Sequence, residues 1–357
     1  MIGFLNSIID PLKKNRYISL SMRKLLFPLA WIYGLLLLIR HTLFDLKLLS
    51  QKRVAIKTLG VGNLALGGTG KSVVVDYLLE QFKKTTHLAV LSRGYKRKTK
   101  GYIQAQQNAT AALIGDEPFQ FHKKHPEVIV AVCEKRVVGI QHLMALEKDP
   151  SVVILDDVMQ HRWLVIDKLI MTTTYDNLYS SDALFPVGAL RDRKKEAQRA
   201  AILLITKCPQ QMTLEQTEQI KKRIKPKQNQ AVFFTSIEYA SKIIGCSKTI
   251  NLKELKGITI LVVTGIADPK PLSTFLEETQ VQFDHLAFPD HHSFSDHDVK
   301  KIENHQAELI LTTEKDFGRL SPKLPNAPLF YLPIKLSFLF KNEEELFNQK
   351  IKAFLED

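Results

Sequence analysis

The stretch ALGGTGKS, residues 65–72, constrains the fold of this 357-residue chain more than any other feature. It departs from the phosphate-binding pattern G-x-x-x-x-G-K-[ST] at one position, where alanine replaces the first glycine. Residues 54–61 predict a strand before it, and residues 72–82 predict a helix after it. A glycine-rich turn between a strand and a helix can direct consecutive backbone N–H groups at phosphate oxygens. The residues predicted to hold phosphate are Ala65, Leu66, Gly67, Gly68, Thr69, Gly70, Lys71 and Ser72.

Two side chains in this loop have chemical roles in the pattern. Lys71 is predicted to reach the β and γ phosphates, and the Ser72 hydroxyl is predicted to ligate magnesium. Ala65 is a difficulty only if its position requires a positive φ, which alanine adopts reluctantly. Gly62 or the pair Gly67-Gly68 can supply that flexibility instead.

The rest of the chain alternates short apolar runs with amphipathic segments, which is typical of strand-helix-strand units. Lysine-rich polar stretches at 221–230 and 242–256 separate two such blocks. We predict an α/β protein with two α/β/α domains and mainly parallel sheets, the first of them P-loop NTPase-like. The predicted divisions are an N-terminal segment at 1–50, a P-loop domain at 51–240 and a smaller C-terminal α/β domain at 241–357. The predicted strands after the loop are 87–92, 128–133, 152–155, 201–206, 258–263, 284–288, 309–312 and 329–332.

The N-terminal segment contains fifteen uncharged residues at 25–39, LLFPLAWIYGLLLLI. This is shorter than the roughly 20 residues that cross a bilayer. Basic residues on both sides favour the anionic cytoplasmic surface of the inner membrane, so we predict a membrane-associated helix. A signal peptide is disfavoured because no A-x-A-like site follows, whereas a helix buried in the core or in a dimer contact stays open. The basic residues are Lys13, Lys14, Arg16, Arg23, Lys24, Arg40, Lys47, Lys52 and Arg53.

The charge balance limits the partners. Lys and Arg number 50 against 37 acidic residues, giving a net charge of +13, which suits nucleic acid, an anionic membrane or a polyanionic substrate. No aromatic-basic module is recognisable, so we predict a membrane surface and no nucleic acid, and we infer no obligate protein partner. Cys133, Cys208 and Cys246 form no C-x-x-C pair and fit a reducing cytoplasm.

An acidic pair is predicted at the end of a buried strand. In SVVILDD, residues 151–157, Asp156 and Asp157 follow four apolar residues, at the edge where open parallel sheets bind ligands. A cation would offset the repulsion between them, although capping of the next helix is an alternative. The sequence TKCP at 206–209 lacks the aspartate of a guanine-reading element, so we predict ATP rather than GTP.

Transfer of phosphate to an alcohol also needs a group that orients or deprotonates the hydroxyl. Candidates are Asp116 and Glu117 in a predicted loop, His161 after the acidic pair, and His291 after a later strand. Taken singly, each acid could instead be a turn residue, and each histidine could be a surface residue or a hydrogen-bonded core residue without a role in chemistry. Zinc is disfavoured because no third soft ligand has suitable spacing to the pair His291 and His292.

Taken together, nine motifs resemble the tetraacyldisaccharide 4'-kinase family, whose members are ATP-dependent enzymes of lipid A biosynthesis. The resemblance extends from the N-terminal apolar segment to about residue 320. The motifs are GVGNLALGGTGKS (60–72), LSRGY (91–95), GDEP (115–118), LDDVMQHR (155–162), LFPVGALRD (184–192), LLITK (203–207), VTGIADP (263–269), FPDHHSF (288–294) and LTTEKD (311–316).

The resemblance implies roles for individual residues. Asp116 matches the family's catalytic aspartate at the sugar 4'-hydroxyl, and His291 matches the histidine that works with it, so both domains would have to meet. Asp156 and Asp157 match the acids near the metal. The remaining matches are Gln160, His161 and Arg191, which would hold the disaccharide, and Asp192, a possible metal ligand that replaces the usual Glu.

The resemblance also implies the substrates. The donor would be ATP with Mg²⁺, and the acceptor an acylated glucosamine disaccharide 1-phosphate at the membrane surface. Three departures are Ser72 for threonine, Asp192 for glutamate, and Val158-Met159 for Gly-Phe or Ala-Phe. The alternative from a different class is a membrane-anchored P-loop ATPase that regulates a protein partner.

Overall fold

The computed structural model describes residues 25–356. The basic residues before residue 25, which belong to the predicted segment 1–50, lie outside the described residues. The helices are α1 Phe27–Asp45, α2 Lys71–Phe82, α3 Ala111–Ile114, α4 Asp116–Lys124, α5 Arg136–Met144, α6 Leu214–Ile224, α7 Lys270–Glu278, α8 Asp296–Glu303, α9 Glu314–Leu320 and α10 Glu343–Glu356. The strands are β1 Lys57–Asn63, β2 Leu88–Ser92, β3 Ile103–Gln104, β4 Ile129–Val132, β5 Val152–Asp156, β6 Lys168–Thr174, β7 Ile202–Thr206, β8 Ala231–Tyr239, β9 Lys242–Gly245, β10 Thr249–Asn251, β11 Ile260–Thr264, β12 Phe283–Ala287, β13 Leu309–Thr313, β14 Leu329–Leu332 and β15 Ile334–Phe338.

The first sheet contains nine strands in the order β15-β8-β7-β6-β1-β5-β2-β4-β3. Every pair from β8 to β4 is parallel, and the edge strands β15 and β3 are antiparallel to their neighbours. The central strands β5 and β7 are buried along their whole length. Apart from Asp156 and Thr206 at their carboxyl ends, both strands are apolar because the sheet has a hydrophobic core on each face.

The second sheet contains six strands in the order β10-β9-β14-β13-β11-β12. The four strands from β14 to β12 are parallel, whereas β9 and β10 are antiparallel. Two apolar clusters cover its faces. Two α/β units with mainly parallel sheets confirm the predicted fold class.

The apolar N-terminal segment forms the 19-residue helix α1, six residues longer at its C-terminal end than the uncharged run. Leu37 and Phe44 are buried against the first unit, whereas Trp31, Ile32 and Leu35 are 70%, 51% and 41% exposed. Within residues 25–356, α1 is the one helix that is long and apolar enough to cross a membrane. Much of its apolar surface therefore has no protein neighbour within the described chain.

The end of the chain returns to the first sheet, which differs from the predicted C-terminal unit at 241–357. Strand β15 pairs with β8, and Phe347 and Ile351 of α10 enter the apolar cluster around α2. The Tyr77 hydroxyl on α2 donates to Glu344 Oε1 at 2.9 Å. An apolar strand and an amphipathic helix fit either sheet, so the sequence pattern could not assign them. The division into domains otherwise stays a prediction.

The polar stretch 242–256 also differs from the predicted separator. Its residues form β9 and β10, which pair with each other, and β9 pairs with β14. Alternating apolar residues such as Ile243, which is buried, anchor these strands to the core of the second sheet. Strands β6 and β8 were not predicted either.

Removal of the Phe347 ring tests whether α10 belongs to the first unit. This fully buried ring contacts Tyr77, Phe233 and Phe338. We expect Phe347→Ala to lower the free energy of unfolding by about 3–5 kcal/mol, measured by urea denaturation. The neighbouring Leu346 is 47% exposed, so Leu346→Ala should cost roughly 0.5 kcal/mol or less. Equal losses for the two variants would contradict this packing.

Candidate active site

The glycine-rich loop joins β1 to α2 as predicted. Gly70 precedes α2 with a φ of 81°, a left-handed conformation that favours glycine. Ala65 has no positive φ and instead forms an antiparallel bridge with Leu190, while the Leu66 N–H donates to the Ala189 carbonyl at 2.7 Å. Alanine therefore causes no backbone strain at the first position of the pattern.

Asn63, the last residue of β1, holds the loop in place through its side-chain amide. Its buried Nδ2 donates to the Ala65 carbonyl and to the Thr69 hydroxyl, both at 2.8 Å. Its Oδ1 accepts from Lys71 Nζ at 3.1 Å and from Arg191 Nη2 at 2.5 Å. No role was predicted for Asn63 from the sequence, although an asparagine at the end of a buried strand is the signal that could have identified it.

Thr69 attaches the loop to neighbouring strands. Its hydroxyl lies 2.8 Å from that of Thr172 on β6, and its carbonyl accepts from the Thr206 hydroxyl on β7 at 2.9 Å. A Cβ at Gly68 would lie 4.0 Å from Lys207 Nζ, so a second ammonium group stands beside the loop. These contacts fix the loop while leaving Gly67 and Gly68 exposed.

The predicted acids follow β5, and the structure brings Asp157 to the loop lysine. Lys71 Nζ lies 3.5 Å from Asp157 Oδ1, and Arg191 Nη1 donates to Asp157 Oδ2 at 2.9 Å. Arg191 Nη2 also donates to Asp157 Oδ1. Burial raises the pKa of Asp157, but the charges of Lys71 and Arg191 outweigh burial and hold that pKa well below its ordinary value. Asp157 is therefore a carboxylate at neutral pH.

Asp156 is in a different environment from its neighbour. Its side chain is buried, and its Oδ2 accepts from the Ser92 hydroxyl on β2 at 2.9 Å. Burial, and then the charge of Asp157, raise the pKa of Asp156 to about 6. Behind it, the buried Arg136 donates from Nη2 to the Asp156 carbonyl at 3.0 Å. The site thus contains a carboxylate whose charge an additional cation would stabilise.

Asp192 contacts helix α1. Its fully buried Oδ1 lies 2.6 Å from His41 Nε2 on α1 and accepts from the Arg193 N–H at 2.8 Å. No group of three or more His, Cys, Asp or Glu side chains within residues 25–356 is placed to hold a metal ion. The predicted metal ligands Ser72, Asp156, Asp157 and Asp192 stay a prediction, and Asp192 already contacts His41 on α1.

The segment after the acids contains Gln160 and His161. Gln160 Nε2 donates to the Asn63 carbonyl at 2.9 Å, and its own carbonyl accepts from Arg40 Nη2 on α1 at 2.8 Å. Burial, reinforced by the charges of Arg136 and Arg93, lowers the pKa of His161 to about 3. His161 is therefore a neutral imidazole at physiological pH.

The two units meet at Asp116, the first residue of α4. The φ of Gly115 is 93°, and a Cβ there would lie 3.2 Å from Gly94 Cα, so the GDEP and LSRGY segments pack closely. Asp116 Oδ2 lies 3.0 Å from His291 Nδ1, which comes from the loop after β12. The structure thus brings the predicted acid and histidine together across 175 residues of sequence.

Arg319 on α9 also binds Asp116, and the sequence analysis did not predict it. Its Nε donates to Asp116 Oδ1 at 2.9 Å, and its Nη2 donates to Asp116 Oδ2. Burial raises the pKa of Asp116, but the hydrogen bonds from His291 and Arg319 outweigh burial, and the pKa lies well below its ordinary value. Lys315 Nζ, 3.0 Å from His291 Nε2, completes the cluster.

Comparison with known proteins is decisive. A sequence profile described as LpxK, tetraacyldisaccharide-1-P 4'-kinase, matches residues 22–356. The tetraacyldisaccharide 4'-kinase of Flavobacterium johnsoniae is 40% identical over 337 residues, which cover 94% of this chain and 98% of that protein. This chain belongs to the tetraacyldisaccharide 4'-kinase family. The enzyme of that name from Bacteroides thetaiotaomicron is 38% identical, with 95% of this chain and 94% of that protein covered.

A solved structure of this kinase family agrees with the fold. A crystal structure described as the "apo" form of LpxK from Aquifex aeolicus in complex with ATP matches with a TM-score of 0.75 and 29% identity, covering 93% of this chain and 99% of that one. The chain is accordingly an ATP-dependent kinase of lipid A biosynthesis, as the motifs predicted.

Asn63 offers a test of the loop architecture in this kinase. Asn63→Ala would remove the side chain that joins Lys71, Arg191 and two loop groups. Because one or two hydrogen bonds contribute about 1–1.5 kcal/mol, we expect the Kd for ATP to rise about tenfold in calorimetric titration. Asn177→Ala, which removes an exposed contact to Asp182, should leave that Kd unchanged. An unaltered Kd in Asn63→Ala would contradict the organising role of this residue.

Proposed function

We propose that this site transfers the γ-phosphate of magnesium-bound ATP to the 4'-hydroxyl of tetraacyldisaccharide 1-phosphate. The hydroxyl oxygen attacks the γ-phosphorus in line, the bond from that phosphorus to the ADP oxygen breaks, and the hydroxyl proton passes to the pair Asp116 and His291. The products are the 1,4'-bisphosphate and ADP. The observation that carries this proposal is the contact between Asp116 and His291 at the edge of the sheet that carries the loop.

The positively charged Lys71 is already held in position at the proposed nucleotide site. In our proposal the backbone N–H groups of residues 65–72 bind the phosphates, and Lys71 stabilises the charge on the γ-phosphoryl oxygens during transfer. Lys71 is held by Asn63 and lies 3.5 Å from Asp157, so its ammonium group is positioned before the nucleotide binds. Preorganised charge of this kind avoids a reorganisation cost during the reaction.

The acceptor side combines a weak base with a histidine. The lowered pKa of Asp116 keeps it as a carboxylate, which accepts hydrogen bonds strongly but takes up a proton poorly. We therefore assign the proton to the coupled pair rather than to Asp116 alone. Asp116 orients His291 and the hydroxyl, and His291 shares the transferred proton.

Magnesium fits the donors at the end of β5. Asp156 and Asp157 form a pair of adjacent carboxyl groups that a divalent ion would stabilise. The pKa of the buried Asp156 is raised because Asp157 beside it is charged. Ser72 in the first turn of α2 would add its hydroxyl. When bound, the ion neutralises charge on the β- and γ-phosphate oxygens. Asp192 is left out of this ligand set because it is buried against His41.

The disaccharide would lie against the segment after the acids. Gln160, His161 and Arg191 are the proposed contacts, and the neutral state of His161 suits a sugar hydroxyl better than a phosphate. Arg191 is already paired with Asp157, so it would link the sugar side to the nucleotide side.

The exposed face of α1 fits a lipid substrate. We propose that Trp31, Ile32, Leu35 and Ile39, all at least 41% exposed, enter the cytoplasmic surface of the inner membrane. The net charge of +13 would attract that face to anionic lipids. An acceptor with acyl chains is met at such a surface.

Replacement of the loop lysine tests the phosphate-transfer assignment. With labelled ATP and tetraacyldisaccharide 1-phosphate, the wild-type enzyme should move label into lipid, and Lys71→Ala should lower that rate at least about 100-fold because transition-state charge is lost. Lys84→Ala, an exposed change beyond the other end of α2, should behave as wild type. Label found only in free phosphate would favour an ATPase that regulates a partner.

The acceptor base is tested separately from nucleotide binding. Asp116→Ala should lower kcat about 10²–10⁴-fold, the usual contribution of general acid-base catalysis, with less than about a twofold change in the Kd for ATP. The control is Asp149→Ala, an exposed carboxylate that belongs to none of the nine motifs. Parallel losses in kcat and ATP affinity would indicate a structural role for Asp116.

Membrane association is tested by placing charge on α1. The double variant Trp31→Glu/Ile39→Glu should lose most of its cosedimentation with vesicles of phosphatidylglycerol and phosphatidylethanolamine, because buried charge is costly in lipid. Leu214→Glu changes another exposed apolar residue, 70% exposed on α6, and should still sediment. Unchanged sedimentation together with a switch from dimer to monomer would instead assign α1 to a protein contact.

A further inference from the structure

Helices α4 and α9 form an antiparallel pair between the two units. At one end Asp116 binds Arg319, and at the other end Lys124 Nζ lies 3.6 Å from Glu314 Oε1. Between these contacts, a Cβ at Gly318 would lie 3.1 Å from the Phe119 ring, so the helices are in close contact. One interface therefore carries both the proposed acceptor acid and an ion pair remote from it.

Arg319 is itself fixed within the second unit. Its Nη1 donates to the fully buried Asp316 Oδ1 at 3.1 Å, and Asp316 Oδ2 accepts from the Gly265 N–H at 2.8 Å. The Gly265 carbonyl in turn accepts from the His291 N–H at 3.0 Å. The guanidinium and the imidazole that meet Asp116 thus share one rigid support.

The guanidinium presents two nitrogens to the two carboxylate oxygens of Asp116. Such a bidentate fork fixes the plane of a carboxylate as well as its charge, which a single ammonium cannot do. Arg319 Nη2 also lies 3.2 Å from His291 Nδ1. The fork therefore determines which Asp116 oxygen is directed at the histidine.

We propose that Arg319 is a positioning residue for the transfer reaction: from the second unit it holds Asp116 aligned with His291, so the acceptor-side pair is complete only when the units are together. This inference rests on the proposed function of Asp116. Arg319 acts through Asp116 and touches neither the nucleotide nor the acceptor in this scheme.

Several charged groups surround Asp116 besides Arg319. Lys315 faces it from α9, and His291 faces it from the loop after β12 together with Asp290, while Glu117 follows on its own helix. Burial favours the neutral acid and raises the pKa of Asp116. The hydrogen bonds from His291 and Arg319 lower that pKa, and so do the charges of Arg319 and Lys315. Without Arg319, fewer positive charges stabilise the Asp116 carboxylate against the effect of burial. The pKa of Asp116 must therefore rise.

The far end of the helix pair supplies a matched control. Glu314 is half-buried, and burial raises its pKa. Glu314→Gln removes the ion pair with Lys124 from the same interface without a contact to Asp116. An effect that follows from loosening of the interface should appear equally in Glu314→Gln and Arg319→Gln.

The experiment measures kcat, the Kd for ATP, and kcat/KM against pH for Arg319→Gln, Arg319→Lys and Glu314→Gln, with thermal unfolding to verify folding. In Arg319→Gln we expect kcat to fall about 100-fold, since a misplacement near 1 Å has that effect. Activity requires the Asp116 carboxylate and is lost as pH falls through its pKa, so the acidic limb of kcat/KM should move to higher pH. The Kd for ATP should change less than about twofold, because Arg319 contacts no nucleotide group.

The conservative variant separates charge from geometry. Arg319→Lys should keep the acidic limb near its wild-type position, because one positive charge remains, while kcat falls about tenfold through loss of the fork. Glu314→Gln should match the wild type within about twofold in kcat and keep its pH profile. Equal kcat losses in Arg319→Gln and Glu314→Gln, with no movement of the acidic limb, would overturn the positioning role. Full activity in Asp116→Ala would instead overturn the proposed function itself.

Discussion

The site depends on the carboxyl ends of buried parallel strands that stop at one edge of the first sheet. Asn63 ends β1, Asp156 ends β5, and Ser92 ends β2. Their polar side chains hydrogen-bond with one another or with the loop, because each lies at a level where neighbouring strands also end. Burial of the apolar strand interiors holds this alignment, so the stability of the fold and the geometry of the charges have the same origin.

The second unit contributes the side chains that contact Asp116 of the first unit. Asp316 holds the Gly265 N–H, and His291 and Arg319 then reach Asp116 from that support. In the proposed function, the nucleotide binds to groups of the first unit, whereas the acceptor contacts groups from both units.

Local patterns in the sequence predicted the elements that carry the motifs. The loop, α2 and β5 follow from glycine spacing and apolar runs, and their observed bounds differ from prediction by a few residues at most. Asp116 and His291 were candidates from their places in the sequence, the family resemblance gave them a joint role, and their contact agrees with the expectation that both domains meet. Contacts that join distant elements were not predictable, because a side chain such as Asn63 or Arg319 has no local signature for its partner.

Asp192 shows the same limit of local sequence patterns, because its partner could not be predicted from its neighbour in the sequence. Its neighbour Arg191 reaches Asp157, whereas Asp192 turns to His41 on α1, so adjacency in sequence did not imply a shared site. Strand β15 and helix α10 were placed in the wrong unit for a related reason, since an amphipathic pattern identifies a buried face without identifying what covers it.

In the proposed reaction, one acceptor hydroxyl lies between the nucleotide of the first unit and the pair Asp116 and His291 that spans both units. A crystal structure with a non-hydrolysable ATP analogue and tetraacyldisaccharide 1-phosphate measures this directly. We expect the 4'-oxygen to lie about 3–3.5 Å from the γ-phosphorus and within about 3.2 Å of Asp116 or His291. A 4'-oxygen bound in line with the phosphorus but hydrogen-bonded to neither side chain would contradict it.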